Sequence, residues 1–241
     1  MGLHSPARRS IAPAMDDLDL PEVLEGFAER FAREDREPAE LYLISPPTID
    51  AAFTDRLKAA FDAGPIAAFQ LRLKGLDDHS IARLAEPMQK LCAEREVAFI
   101  VNDSIALAKR LGADGVHLGQ EDGDPREARE VLGRDAQIGV TCHNSRHLAM
   151  EAGEAGADYV AFGAFYPTTT KEVQHQADPA ILSWWTVVSP IPCVAIGGIT
   201  AANAAPLVAA GADFLAVSGA VWNDPAGEAA AVQALLKAMG H

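Results

Sequence analysis

The sequence predicts a single (β/α)8 barrel of the TIM type, and two observations carry this prediction. Eight short apolar runs of about four to six residues, with little alternation, are separated by longer segments with helical spacing. Continuous apolar strands between helices indicate a parallel sheet that is covered on both faces. A Gly-Ala-Asp phrase also recurs before three of the runs, at 112–114, 156–158 and 211–213, where the glycine would end a helix. Eight such units in about 200 residues suit this barrel.

The strands and helices follow one another in a regular order. The predicted strands are residues 41–45, 66–71, 98–101, 115–118, 137–141, 159–163, 193–197 and 214–218. Asp77 is predicted to start the second helix of the barrel, and Thr200 to cap the seventh. An open doubly wound sheet is the alternative architecture. It would more often carry a glycine fingerprint after the first strand, where this chain has Ser45-Pro46-Pro47.

The N-terminal residues differ from the repeating part. Residues 1–15 are small, contain proline and lack periodicity, so we predict that they are disordered. Residues 16–37 are predicted to form an additional amphipathic helix, because apolar residues recur there at steps of three and four. The barrel is assigned to residues 38–241.

Composition excludes several classes of partner. The net charge of -14 argues against nucleic acid and against an anionic membrane surface. Apolar runs are all well short of the roughly 20 residues that span a bilayer, and no apolar segment typical of a secretory signal follows Arg8-Arg9. The three cysteines form no CxxC motif, which favours a reducing, cytoplasmic location. The oligomeric state stays open, a homo-oligomer being one option.

The second strand ends in a row of polar side chains. Gln70, Arg72 and Lys74 are spaced by two, so in an extended chain they point to the same face. Two cations on an inner face are costly unless an anion lies against them. The stretch is therefore either a solvated edge strand or a phosphate or pyrophosphate site.

Polar groups also follow the other predicted strands, at the end where such barrels carry their chemistry. They are Asn102, Asp103, His117, Gly119, Gln120, Asp122, Thr141, His143, Thr168, Thr169, Thr170, Lys171, Gly197, Gly198, Ser218 and Gly219. The three cations, Arg72, Lys74 and Lys171, suit phosphate oxygens. Asp103 and Asp122, with the Asn102 amide, suit Mg²⁺ that is shared with substrate phosphate and water. Either aspartate could instead cap a helix.

The remaining groups have plainer alternatives. The glycine turns after strands seven and eight could bind phosphate through backbone N–H groups or could only form tight turns. The threonines beside Lys171 suit a second oxyanion but could form an ordinary loop. His117 lies in an apolar strand, which favours a buried, hydrogen-bonded histidine over a base. Cys142 should point away from its neighbours, which argues against a thiol nucleophile. The tryptophans are interpreted as packing or rim residues.

Six motifs in this order resemble the thiamine phosphate synthase (thiamine-phosphate pyrophosphorylase) family over roughly residues 40–240. They are Gln70-x-Arg72-x-Lys74, Val101-Asn102-Asp103, Gly115-Val116-His117-Leu118-Gly119-Gln120-x-Asp122, Gly139-Val140-Thr141-x-His143, Pro167-Thr168-x-Thr170-Lys171 and Ala195-Ile196-Gly197-Gly198-Ile199.

The resemblance implies a TIM barrel, Mg²⁺ and two phosphorylated small-molecule substrates. The implied reaction joins hydroxymethylpyrimidine diphosphate to thiazole phosphate and releases pyrophosphate. Gln70, Arg72, Lys74, Asn102, Thr141 and Lys171 would then hold the pyrimidine diphosphate, with Arg72, Lys74 and Lys171 as the catalytic cations. Asp103 and Asp122 would bind Mg²⁺. Thr168, Thr169, Thr170, Gly198, Ser218 and Gly219 would hold the thiazole phosphate.

Three features depart from the family pattern. Thr141 stands where the family usually has serine, residues 172–192 lack the usual glycine-bearing stretch, and the N-terminal helix is additional. Three rival functions are a thiazole tautomerase that uses His143, a non-catalytic barrel that binds a thiamine precursor, and another phosphate-binding barrel. Lys74, Asp103, Asp122 and the threonine loop favour the synthase over the tautomerase, which has less need of them.

Overall fold

The computed structural model describes residues 37–168 and 176–241, and in these ranges it has a closed barrel of eight parallel strands in sequence order. The strands are β1 (Glu40–Ile44), β2 (Ala68–Leu71), β3 (Ala98–Asn102), β4 (Gly115–Leu118), β5 (Gln137–His143), β6 (Tyr159–Phe162), β7 (Cys193–Ile196) and β8 (Phe214–Val217). β1 pairs with β8, which closes the sheet. The predicted barrel is thus confirmed, and the open sheet is wrong. The predicted N-terminal disorder and additional helix lie outside the described residues, except for Glu37.

Helices alternate with the strands on the outside of the barrel. They are α1 (Phe53–Asp62), α2 (Asp78–Glu94), α3 (Ile105–Leu111), α4 (Pro125–Leu132), α5 (Arg146–Glu154), α6 (Ala180–Val188), α7 (Ala205–Ala209), α8 (Gly219–Trp222) and α9 (Glu228–Met239). In the described part of the chain, none of the helices has the length and apolar character needed to cross a lipid bilayer.

One predicted cap is confirmed and one is wrong. The Asp77 side chain accepts a hydrogen bond from the Ser80 N–H at 2.9 Å and caps α2. Thr200 does not cap a helix, because α7 begins only at Ala205. The intervening turn is held instead by Asn203, whose Oδ1 accepts from the Thr200 N–H at 2.7 Å.

The repeated Gly-Ala-Asp phrase has two structural roles. Its glycines all have a left-handed backbone after a helix, with φ values of 61° at Gly112, 88° at Gly156 and 105° at Gly211. Its aspartates each accept a hydrogen bond from a backbone N–H near the start of the preceding strand. These pairs are Asp114 with Phe99 at 2.7 Å, Asp158 with Ile138 at 2.7 Å and Asp213 with Cys193 at 2.8 Å. The repeated motif therefore links the starts of β4, β6 and β8 by hydrogen bonds to the strands that precede them, at the end of the barrel where strands begin.

Two apolar clusters fill the molecule. The larger lies between the sheet and the helices and includes Phe69, Phe99 and Trp185. The smaller contains Tyr42, Ile44, Ala68, Ile100, Tyr159, Ala161, Val194 and Ala216, which come from alternate positions of the strands and fill the barrel interior. Because this interior is closed by side chains, a ligand would reach only the ends of the strands.

Candidate active site

The polar row after β2 lies on the inner face, as predicted. Leu71 and Leu73 are buried in the outer cluster, so the alternating Gln70, Arg72 and Lys74 face the other way. Gln70 is buried, Arg72 is half-buried and Lys74 is exposed, so the row runs from the interior to the barrel mouth. The Arg72 and Lys74 N–H groups donate to Ser45 Oγ at 2.8 Å and to the Pro47 carbonyl at 2.9 Å. These bonds fix the row against the end of β1, so the stretch is not an edge strand.

The two predicted metal-binding aspartates are not helix caps. Ser104 caps α3 through its Oγ, and Asp124 caps α4. Asp103 has a left-handed backbone with φ of 67°, and its N–H donates to the His117 carbonyl at 2.8 Å. Such a backbone is costly for a residue other than glycine and is often found at functional sites. Asp122 accepts from the Gly119 N–H at 2.9 Å, which closes the turn after β4.

The cations and carboxylates of the mouth interact directly. Lys74 Nζ lies 2.9 Å from Asp103 Oδ2. Burial lowers the pKa of the Arg72 guanidinium, and the charge of Asp103 acts in the opposite direction. Partial desolvation raises the pKa of the Asp122 carboxyl group, and so do the charge of Asp103 and a hydrogen bond with it. Two carboxylates therefore lie close enough to repel each other, a charge arrangement that a divalent cation relieves.

This carboxylate pair fits Mg²⁺ better than a metal that is held by protein ligands alone. In the described ranges, no group of three or more His, Cys, Asp or Glu side chains could hold a metal ion. Mg²⁺ commonly uses one or two carboxylates and completes its shell with water and substrate phosphate. The residues present therefore suit a metal that arrives with a phosphorylated ligand.

The ends of β3, β4 and β5 lie beside one another at the mouth. Asn102 is paired in register with His117, and it is half-buried. The Thr141 hydroxyl lies 2.8 Å from His117 Nε2, while its carbonyl accepts from Gln120 Nε2 at 2.6 Å. His117 is buried and hydrogen-bonded, as predicted. β5 extends past its predicted end to His143, with an irregular register and a left-handed backbone at His143.

Glycine is required in the turn after β7. Gly197 and Gly198 have φ values of 101° and 66°, and a Cβ on Gly198 would lie 2.4 Å from the Pro167 carbonyl oxygen. This close approach brings the backbone of the turn against the segment that leads to Thr168, which is half-buried. Thr169, Thr170 and Lys171 lie outside the described residues. After β8, Ser218 Oγ donates to the Ser45 carbonyl at 3.2 Å, and Gly219 begins α8.

Three comparisons with known proteins agree. A family model described as thiamine monophosphate synthase matches residues 41–221. The chain belongs to the thiamine monophosphate synthase family.

Relatives of this family support the assignment over most of the chain. A thiamine-phosphate synthase of Erythrobacter litoralis is 65% identical over 82% of this chain and 93% of its own length. Another, of Rhodospirillum centenum, is 62% identical over 80% of this chain and 93% of its own length. The solved thiamine phosphate pyrophosphorylase of Pyrococcus furiosus is 29% identical, has a TM-score of 0.73, and is matched over 83% of this chain and 95% of its own. As a member of the family, the protein is an enzyme of the transferase class.

Several groups of this family member were not singled out by sequence reasoning. Tyr42 and Tyr159 point into the barrel, and their hydroxyl groups lie 3.0 Å apart. Ser45 holds both the β2 and the β8 ends. The two tyrosines could have been found from the sequence. Each stands at an inward position of a predicted strand, and a buried tyrosine usually needs a hydrogen-bond partner for its hydroxyl group.

The cysteine and the tryptophans agree with the sequence interpretation. Cys142 is buried and desolvation raises the pKa of its thiol to about 12, so it is not a ready nucleophile. Trp185 and Trp222 are buried, and Trp184 lies against the Arg146 guanidinium at 5.0 Å. In the segment that departs from the family pattern, Trp185 anchors α6 to the outer cluster.

Proposed function

We propose that this enzyme condenses 4-amino-5-hydroxymethyl-2-methylpyrimidine diphosphate with 4-methyl-5-(2-phosphoethyl)thiazole, giving thiamine phosphate and pyrophosphate. The observation that supports this reaction most directly is the meeting of Arg72, Lys74, Asp103 and Asp122 at one mouth of the barrel. A pyrophosphate group needs cations on its oxygens, and a divalent cation at the paired carboxylates would offset their mutual repulsion. The same four residues would therefore hold a magnesium pyrophosphate group.

In this proposal Asp103 and Asp122 would hold Mg²⁺, and Asn102 would add an amide beside them. When it is bound, Mg²⁺ supplies Lewis-acid stabilisation of the negative charge on the phosphate oxygens. Gln70 and Thr141, deeper in the mouth, hold the pyrimidine end of the same substrate. Lys171, which lies outside the described residues, is proposed as a third cation.

The reaction would be a dissociative substitution. The bond between the exocyclic methylene carbon and the diphosphate oxygen breaks, and its electron pair leaves with pyrophosphate. The pyrimidine stabilises the cation that remains, and the thiazole nitrogen then donates its lone pair to form the new C–N bond. Arg72 and Lys74 lower the barrier because they lie where negative charge grows on the leaving group.

The thiazole phosphate would bind on the β6–β8 side of the mouth. Gly198 and the Ser218-Gly219 turn would offer backbone N–H groups to its phosphate, and Thr168, Thr169 and Thr170 would offer hydroxyl groups. This arrangement separates the two phosphorylated groups and leaves the reacting carbon and nitrogen between them. Holding both in line reduces the entropy cost of the encounter.

We also propose a cytoplasmic location and small phosphorylated molecules as the only partners that the mechanism needs. All three cysteines are buried thiols, which suits a reducing compartment.

A turnover assay tests the proposal. Purified protein is mixed with both substrates and Mg²⁺, with and without EDTA, and thiamine phosphate and pyrophosphate are measured. We expect equal amounts of the two products, formed only when the metal is present. Binding of one substrate with no product would contradict the proposal and favour the tautomerase or the precursor-binding protein.

A further inference from the structure

A continuous chain of polar side chains crosses the interior of the barrel beneath the mouth. Gln70 Nε2 donates to the Tyr42 hydroxyl at 2.9 Å, and the Tyr42 and Tyr159 hydroxyls lie 3.0 Å apart. The Tyr159 hydroxyl lies 3.1 Å from His117 Nδ1, and His117 Nε2 lies 2.8 Å from Thr141 Oγ1. The chain therefore links the polar row of β2 to Thr141 on β5.

The fold makes room for the central member of this chain. A Cβ on Gly139 would lie 2.0 Å from Tyr159 Cζ and 2.4 Å from its hydroxyl oxygen, so only glycine lets the ring cross β5. The Tyr159 ring then stacks on the His117 ring, with 5.6 Å between the centroids and 27° between the planes. Tyr42 and Tyr159 are both buried, so water does not compete for their hydroxyl groups.

The direction of the hydrogen bonds follows from the number of protons available. A tyrosine hydroxyl has one proton to donate. With Gln70 Nε2 as the donor to Tyr42, the Tyr42 proton would go to Tyr159, and the Tyr159 proton would go to His117 Nδ1. In the described ranges no buried side-chain nitrogen or oxygen lacks a hydrogen-bond partner. If the bonds ran in the opposite direction, Gln70 and Tyr159 would both donate to Tyr42. The Tyr42 proton would then have no acceptor among these side chains.

This direction fixes the histidine tautomer. With Nδ1 accepting, His117 is neutral and carries its proton on Nε2, which donates to Thr141 Oγ1. The hydroxyl proton of Thr141 is then not engaged in a hydrogen bond with any other of these polar side chains. It can point only to an acceptor on another side, and Thr141 is half-buried at the mouth.

We propose that Tyr159 and His117 are positioning residues that present the Thr141 hydroxyl as a hydrogen-bond donor to the pyrimidine diphosphate. The identity of this ligand rests on the proposed function, whereas the direction of the hydrogen bonds is argued from the side chains alone. Tyr159 and His117 act through Thr141, so their effect is on how this substrate binds.

The tautomer of His117 can be measured directly on the full-length protein. Nitrogen NMR with ring-labelled histidine distinguishes a protonated from an unprotonated ring nitrogen, and the His117→Gln variant identifies the signals. We expect a proton on Nε2 and none on Nδ1. A proton on Nδ1 with none on Nε2 would overturn the proposal, because Thr141 would then have to donate to His117. This result does not depend on turnover, so it stands or falls separately from the proposed function.

Two tyrosine variants then separate positioning from packing. Tyr159→Phe and Tyr42→Phe each remove one hydroxyl from the same buried chain, but only Tyr159→Phe removes the donor to His117. We expect Tyr159→Phe to give a mixture of tautomers and to raise KM for the pyrimidine diphosphate about tenfold, with KM for the thiazole phosphate unchanged. Tyr42→Phe leaves the hydroxyl that donates to His117 in place, so it should shift the tautomer and this KM less than Tyr159→Phe does.

Equal effects of both tyrosine variants on the two KM values would contradict the positioning role, because a general loss of packing does not distinguish substrates. The hydroxyl of Thr141 provides the final check. Thr141→Val should raise the KM for the pyrimidine diphosphate as Tyr159→Phe does, and Thr141→Ser, which restores a hydroxyl group, should raise it less. Combining Thr141→Val with Tyr159→Phe should add little, since both remove the same interaction. Fully additive effects would show that Tyr159 does not act through Thr141.

Discussion

At the scale of single residues, charge and backbone conformation together define the mouth of the barrel. Lys74 and Asp103 form an ion pair that is partly open to solvent, with side-chain exposures of 49% and 34%. Such a pair contributes only about 0–1 kcal/mol to stability. Its small contribution to folding, and its position beside Arg72 and Asp122, suit the role in binding and catalysis that we propose.

Replacing Lys74 with alanine should reduce turnover and leave the fold intact. We expect kcat to fall by about 10²–10³, because one cation is lost where negative charge develops in the transition state. Steady-state kinetics and a thermal melt of the purified variant measure both effects. Lys58→Ala is the matched control, since Lys58 also forms an exposed ion pair, with Asp62 on α1. Near-wild-type turnover of Lys74→Ala would count against the proposed reaction.

Asp122 should couple metal binding to stability. Its raised folded-state pKa contributes stability below the ordinary pKa of a carboxyl group, and that stability is lost as the pH rises through the folded pKa. The charge of Asp103 therefore opposes ionisation of Asp122 in the metal-free protein. Because Asp122 is exposed, solvent screens this repulsion and its effect is small.

We expect Mg²⁺ with pyrophosphate to raise the Tm of the wild type. Asp122→Asn should keep the metal-free Tm at pH 7 or raise it slightly, and it should abolish this rise. Differential scanning calorimetry measures both quantities. Asp124→Asn is the control, because Asp124 caps α4 and asparagine can also cap a helix. If Asp122→Asn still responded to the metal, Asp122 would not be a ligand.

At the scale of the elements, the order and the approximate limits of the strands follow from apolar runs between helical segments. β4 was predicted with its observed limits, and the other strands differ by one or two residues at one or both ends. The start of α7 could not be predicted from Thr200, because an asparagine three residues later holds the turn first. Helix starts depend on which local hydrogen bond forms, and several polar residues compete for the same N–H groups.

The aspartate of the repeated phrase should stabilise the barrel without affecting its chemistry. Asp158 accepts from the Ile138 N–H and from Arg129 at the end of the barrel opposite the mouth. We expect Asp158→Ala to lower the free energy of unfolding by about 1–3 kcal/mol, since a buried N–H loses its acceptor. The change is measured by denaturant unfolding, with kcat as the second readout. Asp135→Ala, at a side chain that is 94% exposed, should change neither. A large loss of kcat at 25 °C in Asp158→Ala would contradict this purely structural role.

At the scale of the whole molecule, the ends of the described barrel are joined to each other. β1 pairs with β8, and His241 Nε2 donates to the Ala39 carbonyl at 2.8 Å. Arg56 of α1 forms an ion pair with Glu228 of α9 and also donates to the Trp222 carbonyl at 2.6 Å. The last helix therefore closes the barrel over its first unit.

Weakening the α9 contact should destabilise the entire barrel. Leu235 is buried in the outer cluster, so Leu235→Ala should cost about 2–5 kcal/mol. For a chain of this size, that is a fall in Tm of about 5 °C or more. Leu84→Ala, at a side chain that is 40% exposed, is the control and should have a much smaller effect. A separate early transition for α9 in Leu235→Ala would contradict a single cooperative barrel.

The sequence by itself determined the barrel, the end that carries the polar groups, and the sorting of those groups into cations, carboxylates and glycine turns that we propose bind phosphate. These conclusions depend on local spacing, because side chains two apart share a strand face and glycines end helices.

Only the tertiary structure decided which groups meet. It showed that Ser104 and Asp124 cap the helices, and that Asp103 and Asp122 do not. It also joined Gln70, Tyr42, Tyr159, His117 and Thr141 across five strands. Contacts between residues distant in the chain arise from the register and closure of the whole sheet, and no local pattern in the sequence encodes them.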